Sequence, residues 1–588
     1  MSLFRRPIRA GAVAVVGVAM IAATGAFGAS VAMAAAPSSS PRFVAMKGSV
    51  PATTDAKTGA YQSSRMSVEV VLAPSHQAQL NAQLAAVYNR NSPDYQRWLS
   101  KGQFAARYAP SAATRSAVAS YLRSSGLKVT FASPFLVRAT GSSRQVTAAF
   151  RTTLSTYRGR HGVTYFSNSA AVRLPSTLVS GVAGVVGLTN TARTHAMVQR
   201  AAGATRPAGK AAASSASASC ETGYPTAQDF FNLVNNGTGF AFGYGGGPGC
   251  SGLTPSQTNS LYGAPNVGAR GKGAGVTEAV FELSAYQESD IDTYAHQFFG
   301  AGYNPPLENV TVDGGPLNPV CPAGDTCPAS IEGYAGDIEV DADIEQQIAV
   351  APDVSHLIVY NAPNDFTGQT ELDEYTAIAN ADTASVVSSS WAECENDAGA
   401  PLVQAENTIF EQMALQGQSM FSSAGDTGAF ECIRSDGTTI PNVLDPSSQP
   451  WVTAVGGTSF ESDNPGTSAH PAYPAGVESV WNVDNLCNSS ANEGGTSANP
   501  LSGFFWCGEV GAGGGGNSQF WGRPFYQRGP GVTSKYSTTG NGTTQCSLAK
   551  QGTPCRETPD ISANADEYTP YAEFCTGSAA TPNSVCAT

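Results

Sequence analysis

The sequence predicts an α/β protein, a parallel sheet with helices on both faces, preceded by a smaller α+β unit. Three observations predict it. Strand-like and helical stretches alternate along the second half of the chain, the pattern of strand–helix–strand crossovers. At 588 residues the chain exceeds what one core can hold, so two or more domains are expected. Charge also divides it: residues 1–220 carry 24 Lys and Arg against three acids (Asp55, Glu69, Asp94), whereas residues 221–588 carry 8 against 42. Halves of such opposite sign are predicted to bind each other. The acidic half is a poor partner for nucleic acid, and the basic half carries no binding motif for it.

In chain order, Arg5, Arg6 and Arg9 precede an apolar, Ala-rich run from Ala10 to about Ala36. That is the pattern of a secretory signal (residues 1–36), with A-x-A cleavage options near Ala34 or Ala36. Secretion to the extracellular space is expected, with no membrane attachment after cleavage, because no later segment is long and apolar enough to span a bilayer. Residues 42–192 read as strands Ser67–Ala73 and Phe135–Ala139 with helices Ser75–Asn89, Thr114–Ser124 and Arg144–Leu154. Leu80, Leu84 and Val87 form the inward stripe of the first helix. Past Arg193 the pattern fades, and from Ala201 to Ser219 the composition collapses to Ala, Ser and Gly, which predicts a linker (193–219) open to maturation cleavage.

Residues 220–588 form the acidic unit. Strands are predicted at Gly275–Phe281, His356–Tyr360, Ala384–Ser390, Ser419–Ser423 and Trp451–Val455, and helices at Tyr286–Phe299, Gly336–Pro352 and Gln404–Gln416. In such a sheet, function gathers at the carboxyl ends of the strands. All 12 Cys lie between Cys220 and Cys586, an even number with close pairs such as Cys321/Cys327 and Cys546/Cys555, which favours disulfides. Zinc is the rival, but no CxxC occurs.

The stretch Gly336–Pro352, GDIEVDADIEQQIAVAP, carries the densest chemistry. Ile338, Ile344, Ile348 and Val350 are expected to line its buried side. Glu339 and Asp343, four residues apart, share one helical face. No Lys or Arg occurs between Lys272 and Arg434, so the acids lack a local cation. Taken alone, the pair reads more readily as a solvated acidic face. Asp426 lies in SSAGDTG (Ser422–Gly428); pepsin-type enzymes need two DTG segments, and there is no second.

Four runs in the basic half are SPDYQRWLSKGQFAARYAPS (Ser92–Ser111), YLRSSGLKV (Tyr121–Val129), VRATGSSRQVTAAFRTTLSTY (Val137–Tyr157) and LPSTLVSGVAGVVGL (Leu174–Leu188). Together they resemble the activation prodomain of the sedolisin family, the serine-carboxyl peptidases. In the acidic half the Glu339/Asp343 helix is followed by SSSWAECE (Ser388–Glu395), SSAGDTG, GGGGNSQFWGRPFYQ (Gly513–Gln527) and PDISANAD (Pro559–Asp566), an order that resembles the family's catalytic domain.

The resemblance implies a ferredoxin-like prodomain that chaperones and inhibits a subtilisin-like domain in which Glu replaces the general-base His. It implies Glu339 as that base, Asp343 as the carboxylate orienting it, and Asp426 as a protonated oxyanion donor, which fits work in acid. It implies substrate pairing at Ser390 and Trp391 and at Gly514 and Gly515, and a monomeric zymogen acting on peptides or proteins. It also implies calcium, although the family's ligand loop follows the nucleophile and is absent here, so no metal ligand is assigned. The family's nucleophilic serine lies in a GTS segment beyond PDISANAD, which this sequence does not contain. Ser497 in EGGTSANPLSG imitates it out of place, within a stretch bounded by Cys487 and Cys507. The expected function is a secreted, acid-acting peptidase precursor cut short before its serine, the alternative a catalytically inactive protease-like protein. The basic half is expected to mask the acidic cleft, with attraction weakening as carboxylates protonate.

Overall fold

In the basic half, strand β1 (Met66–Leu72) is buried on both faces and contributes to two cores. The computed structural model describes residues 42–197 (except 52, 54 and 160–162), 254–316 (except 265–271), 336–459 (except 434 and 436–439), 478–482, 511–565 (except 530, 531, 533–545 and 551) and 571–573. The signal segment, the linker beyond Met197, Cys321, Cys327, Ser497 and Asp566 lie outside these residues.

β1 pairs antiparallel with β3 (Leu136–Gly141) and β4 (Val182–Val186), and β2 (Lys128–Phe131) pairs with β3. The order β2-β3-β1-β4 has the first and third strands central, the ferredoxin-like arrangement. Val68, Val70, Val137 and Ala139 pack under α2 (Ala112–Ser124) and α3 (Ser143–Phe150) through Val118, Leu122, Val146 and Phe150. A capping box of Ser142 and Gln145 opens α3. It ends at Phe150 rather than Leu154, because Arg151 turns left-handed (φ 44°) and Leu154 begins a strand.

The other face of β1 belongs to the second core. Val71, Leu136 and Val186 join Ala405 and Ile409 of the long helical stretch Glu395–Gln416. Beside them Leu80, Leu84 and Val87 of α1 (Gln77–Val87), with Leu99 and Phe104, enclose Ala414 and Leu415. Part of the interface between the two halves is therefore apolar. Among the described residues, Arg138 supplies the ion pair that crosses it, to Asp373, while also binding buried Glu69.

The main sheet holds seven parallel strands: β6 (Thr277–Glu282), β7 (Leu307–Thr311), β8 (His356–Asn361), β9 (Val386–Ser389), β11 (Ser419–Ser423), β13 (Val452–Ser459) and β15 (Ile561–Asn564). Their order is β7-β8-β6-β9-β11-β13-β15, a subtilisin-like sheet with its first strand in the interior. Helix α4 (Glu288–Phe299) and α5 (Asp337–Val350) pack together, and α6 (Gln369–Ala381) packs with α7, the Glu395–Gln416 stretch. Phe281 of β6 stacks on Tyr375 of α6 at 4.2 Å, and Tyr375 meets Phe410 of α7 edge-on. α7 is two helical pieces, broken at Gly399 (φ 73°) and resumed at Pro401, whose missing N–H suits a first turn.

The sequence reading needs four corrections. Val350 is exposed, and Val340 joins Ile344 and Ile348 in the core. β7, short and half-exposed, and α6, whose stripe is interrupted by Glu371, Asp373 and Glu374, were not expected. The strand expected at Ala384–Ser390 breaks after Ser389, and a separate β10 (Trp391–Cys394) leaves the sheet to pair with β5 (His195–Ala196) and β12 (Leu444–Asp445). The segment expected as the start of a linker thus begins as a strand. Disulfides join Cys546 to Cys555, a pair suggested by spacing, and Cys394 to Cys432, which spacing did not suggest.

Candidate active site

The acids of α5 are not a solvated face. Glu339, Asp341 and Glu345 are buried with Val340, Ile344 and Ile348. The helix can sit this deep because it starts at Gly336: a Cβ there would lie 2.4 Å from the Trp391 indole and 2.9 Å from Ser284 Cβ. Glu339 falls in the first turn, where helix N–H groups favour negative charge.

Each neighbour comes from the carboxyl end of a strand. Ser390, after β9, donates its hydroxyl to Asp343 Oδ1 at 2.7 Å. Trp391 donates its indole N–H to Oε2 of Glu282, the last residue of β6, at 2.8 Å. The backbone N–H of Glu282 in turn donates to Glu374 Oε1 at 3.0 Å. Asp426 follows β11. Three strand ends and one helix thereby bring Glu339, Asp343, Glu282 and Asp426 into one electrostatic neighbourhood.

Burial pushes the Glu339 carboxyl well above its usual range, and the charges of Asp343, Asp426 and Glu573 push it further. Desolvation raises Asp343 to about 6, opposed by hydrogen bonds from Ser390 and Glu282. Burial and then the charge of Asp343 raise Glu282 well above its usual range. A cluster of this kind holds protons jointly rather than residue by residue.

Asp426 sits in a turn shaped by Gly425 (φ 110°) and Gly428 (φ 64°). Glu431 ties the turn down, accepting from the Thr427 N–H at 2.9 Å and the Thr427 hydroxyl at 2.8 Å. The glycine run lies directly against it. Ala512 donates to the Asp426 carbonyl at 2.9 Å, Gly514 to Gly425 at 2.8 Å and Gly515 to Gly428 at 3.1 Å. A Cβ on Gly514 would stand 2.2 Å from the Ala424 carbonyl oxygen.

The structure therefore places the sequence-assigned residues unevenly. Glu339, Asp343, Ser390 and Asp426 converge. Trp391 reaches the site with its side chain wholly buried, aimed at Glu282 rather than outward. Gly514 and Gly515 spend their N–H groups inside the protein, and their lack of a side chain is explained by close backbone, Ala424 for Gly514 and Thr558 for Gly515. Sequence reasoning missed Glu282, although an acid ending a strand of a parallel sheet was the available signal. It also missed Glu573, which carries no pattern at all.

β5 lies along β10, with His195 opposite Ala392 and Ala196 opposite Trp391, and the Met197 N–H donates to the Ser390 carbonyl at 3.0 Å. One trio of carboxylates among the described residues, Glu371, Glu393 and Glu406, brings oxygens within 4.8 Å of one another. It does not fit the expected calcium, which takes six to eight oxygens, because the Thr194 hydroxyl donates a proton into it. No step is routed through a metal.

A subtilisin-like sheet with buried carboxyl groups at its strand ends, behind a ferredoxin-like unit, is the arrangement that the sequence resemblance implied. The comparisons agree. Residues 54–191 match the pro-kumamolisin activation domain. The chain is 28% identical to sedolisin of Pseudomonas sp. (strain 101) over 69% of its own length and 60% of that protein. It is 24% identical to xanthomonalisin of Xanthomonas sp. (strain T-22) over 70% of its length and 48% of that protein. It thus spans between half and three-fifths of these relatives. A solved structure of Pseudomonas sedolisin, a serine-carboxyl proteinase complexed with two molecules of pseudo-iodotyrostatin, matches at 22% identity and a TM-score of 0.36, over 56% of this chain and 75% of that one. The chain is thus similar to members of the sedolisin family over about two thirds of its length, and residues 54–191 match its activation domain.

Proposed function

We propose that this chain is the precursor of a secreted, acid-acting serine-type peptidase. Glu339 takes the proton of a serine hydroxyl, and Asp343 orients Glu339 and shares its proton, as the third member of a triad does for its base. Asp426 donates a hydrogen bond to the oxyanion that forms on the attacked carbonyl. Ser390 and Glu282 position Asp343. The attacking serine lies outside the described residues, and Ser497 is the one serine the sequence nominates within this chain.

The observation that carries the reading is the burial of Glu339 on the helical face it shares with Asp343, with Ser390 donating to Asp343 at 2.7 Å from the end of β9 and Asp426 following β11. Two carboxyl groups sharing a proton supply a base that is still competent in acid, where an imidazole would be charged. The activation unit is the intramolecular inhibitor in this reading, and the β5–β10 pairing supports it: the tail covers the strand that the resemblance assigns to substrate. The domains then run as signal 1–36, prodomain 42–192, tail and linker 193–219, and catalytic unit 220–588.

Expression of the full chain, transfer to acid, and assay of self-cleavage and of hydrolysis of a denatured protein test the proposal. Hydrolysis that disappears in Glu339→Gln supports it. No hydrolysis at any acidic pH, with the fold intact by circular dichroism, favours the inactive protease-like alternative.

A further inference from the structure

Thr194 is almost wholly buried, at 2% exposure, although it belongs to the tail that leaves the activation unit. The antiparallel register of β5 on β10 sets it opposite Glu393. It lies three residues before Met197, whose N–H reaches the carbonyl of Ser390, and the Ser390 hydroxyl binds the catalytic Asp343. A stretch of extended chain therefore runs toward the catalytic carboxylates with one side chain inserted below it.

That side chain enters a pocket of acids. The Thr194 hydroxyl donates to Glu371 and lies 3.3 Å from Glu393 Oε2, and the Thr194 carbonyl accepts from Asn364 Nδ2 at 2.8 Å. Glu406 completes the trio within 4.8 Å, and Asp445 lies beneath, accepting from Gln449 at 2.8 Å and Ser448 at 3.2 Å. Glu371, Glu393, Glu406 and Asp445 come from four elements (α6, β10, α7 and β12) and are all buried. Glu393 Oε1 and Asp445 Oδ2 have no hydrogen-bond partner. The sequence has no Lys or Arg between Lys272 and Arg434, so α6, β10 and α7 bring no cation to the pocket. A buried acceptor without a donor is costly, so the pocket discriminates by whether its occupant brings one.

We propose that Glu371, Glu393, Glu406 and Asp445 form a peptide side-chain subsite for Ser or Thr, three positions before the residue bound by the Ser390 carbonyl, which Thr194 fills in the precursor. The substrate half of this inference rests on the peptidase reading; the occupant half rests on the tail alone. The hydroxyl already touches two carboxylates, so a longer side chain collides with Glu371. Valine has the shape without the donor, and glutamate adds a fifth acid.

Amide hydrogen exchange at His195 to Met197 in the full-length chain reads tail docking without any hydrolysis. Thr194→Ser keeps wild-type protection. Thr194→Val exchanges about ten-fold faster, the size of one lost buried hydrogen bond, and Thr194→Glu faster still. Equal protection in Thr194→Val and wild type overturns the proposal.

The loosened Thr194→Glu chain then presents the site in trans. Acetyl-Thr-His-Ala-Met-amide and its Ser counterpart bind by calorimetry about ten-fold tighter than the Val and Glu counterparts. Equal binding of all four, or displacement of the Thr peptide by millimolar calcium, overturns the subsite. Neither measurement needs turnover. A failed subsite therefore leaves the peptidase reading standing, and a chain that cleaves nothing can still show the subsite.

Discussion

Glu282, Asp343 and Glu339 show how much a single buried carboxyl depends on its donor. Glu282 is fully buried and receives one side-chain donor, the Trp391 indole. Trp391→Phe keeps the packing but removes that N–H, and we expect a loss of about 1–3 kcal/mol in urea unfolding at neutral pH. Glu339→Gln keeps the shape of the side chain but cannot accept a proton; the expected fall in kcat for acid proteolysis is about a thousand-fold or more. If Glu339→Gln retained wild-type kcat, the base would be another group. At this scale the sequence was informative for α5, since the four-residue spacing alone puts Glu339 and Asp343 on one face. It was silent on burial, because the same spacing serves a solvated helix. Only the packing of Gly336 against Trp391 decides between the two.

Among the elements, the contact of β1 and β3 with α6 is where the two halves meet by charge. Arg138 holds Glu69 and Asp373 together. Burial pushes Asp373 to about 8, aided by Asp313 and Glu69 and opposed by Arg138, and pushes Glu69 to about 7. Arg138→Met leaves both carboxyls without a cation. The expected cost is about 3 kcal/mol near pH 8, the usual price of breaking a buried pair. Near pH 4 the loss shrinks, because both acids are then neutral, and urea unfolding at the two pH values measures the difference. Beside Arg138 the interface combines an apolar contact, Val71, Leu136 and Val186 against Ala405 and Ile409, with hydrogen bonds from uncharged donors to backbone carbonyls. Molar salt is accordingly expected to leave docking of the activation unit nearly unchanged, since screening acts on exposed charges and not on such contacts; exchange protection in β4 reports it.

Across the whole molecule, buried acids set the pH dependence of stability. Burial is the largest cause in each case: Asp343 rises to about 6, Glu278, Glu395 and Glu411 to about 7, and Glu371 to about 8, from ordinary values of 3.8 for Asp and 4.5 for Glu. The folded chain therefore holds more protons than the unfolded chain between those limits. The contribution of these groups is fully present below about pH 4 and is lost as pH rises through 6 to 8. The melting temperature is expected to fall steadily from pH 4 to pH 8, and a flat or rising profile would contradict the burial of these acids. That direction suits a protein working in acid, and it arises from the fold rather than from any one site.

The sequence by itself determined the division into a basic and an acidic half and the α/β class, while Glu339, Asp343 and Asp426 were nominated only by resemblance to a known family. The division and the class rest on composition and on period, and the resemblance on local order, none of which needs a long-range contact to be read. The tertiary structure alone decided what surrounds those three residues. Glu282 is 57 residues from Glu339 in sequence and reaches its cluster through β6, and β10 leaves the sheet to receive the activation tail. Charge suggested that the halves attract, and packing shows that apolar contact also joins them, because β1 is buried on both faces where the sequence pattern requires only one. The Glu371–Glu393–Glu406 pocket is the extreme case: its acids come from three elements and acquire a common meaning only where Thr194 enters among them.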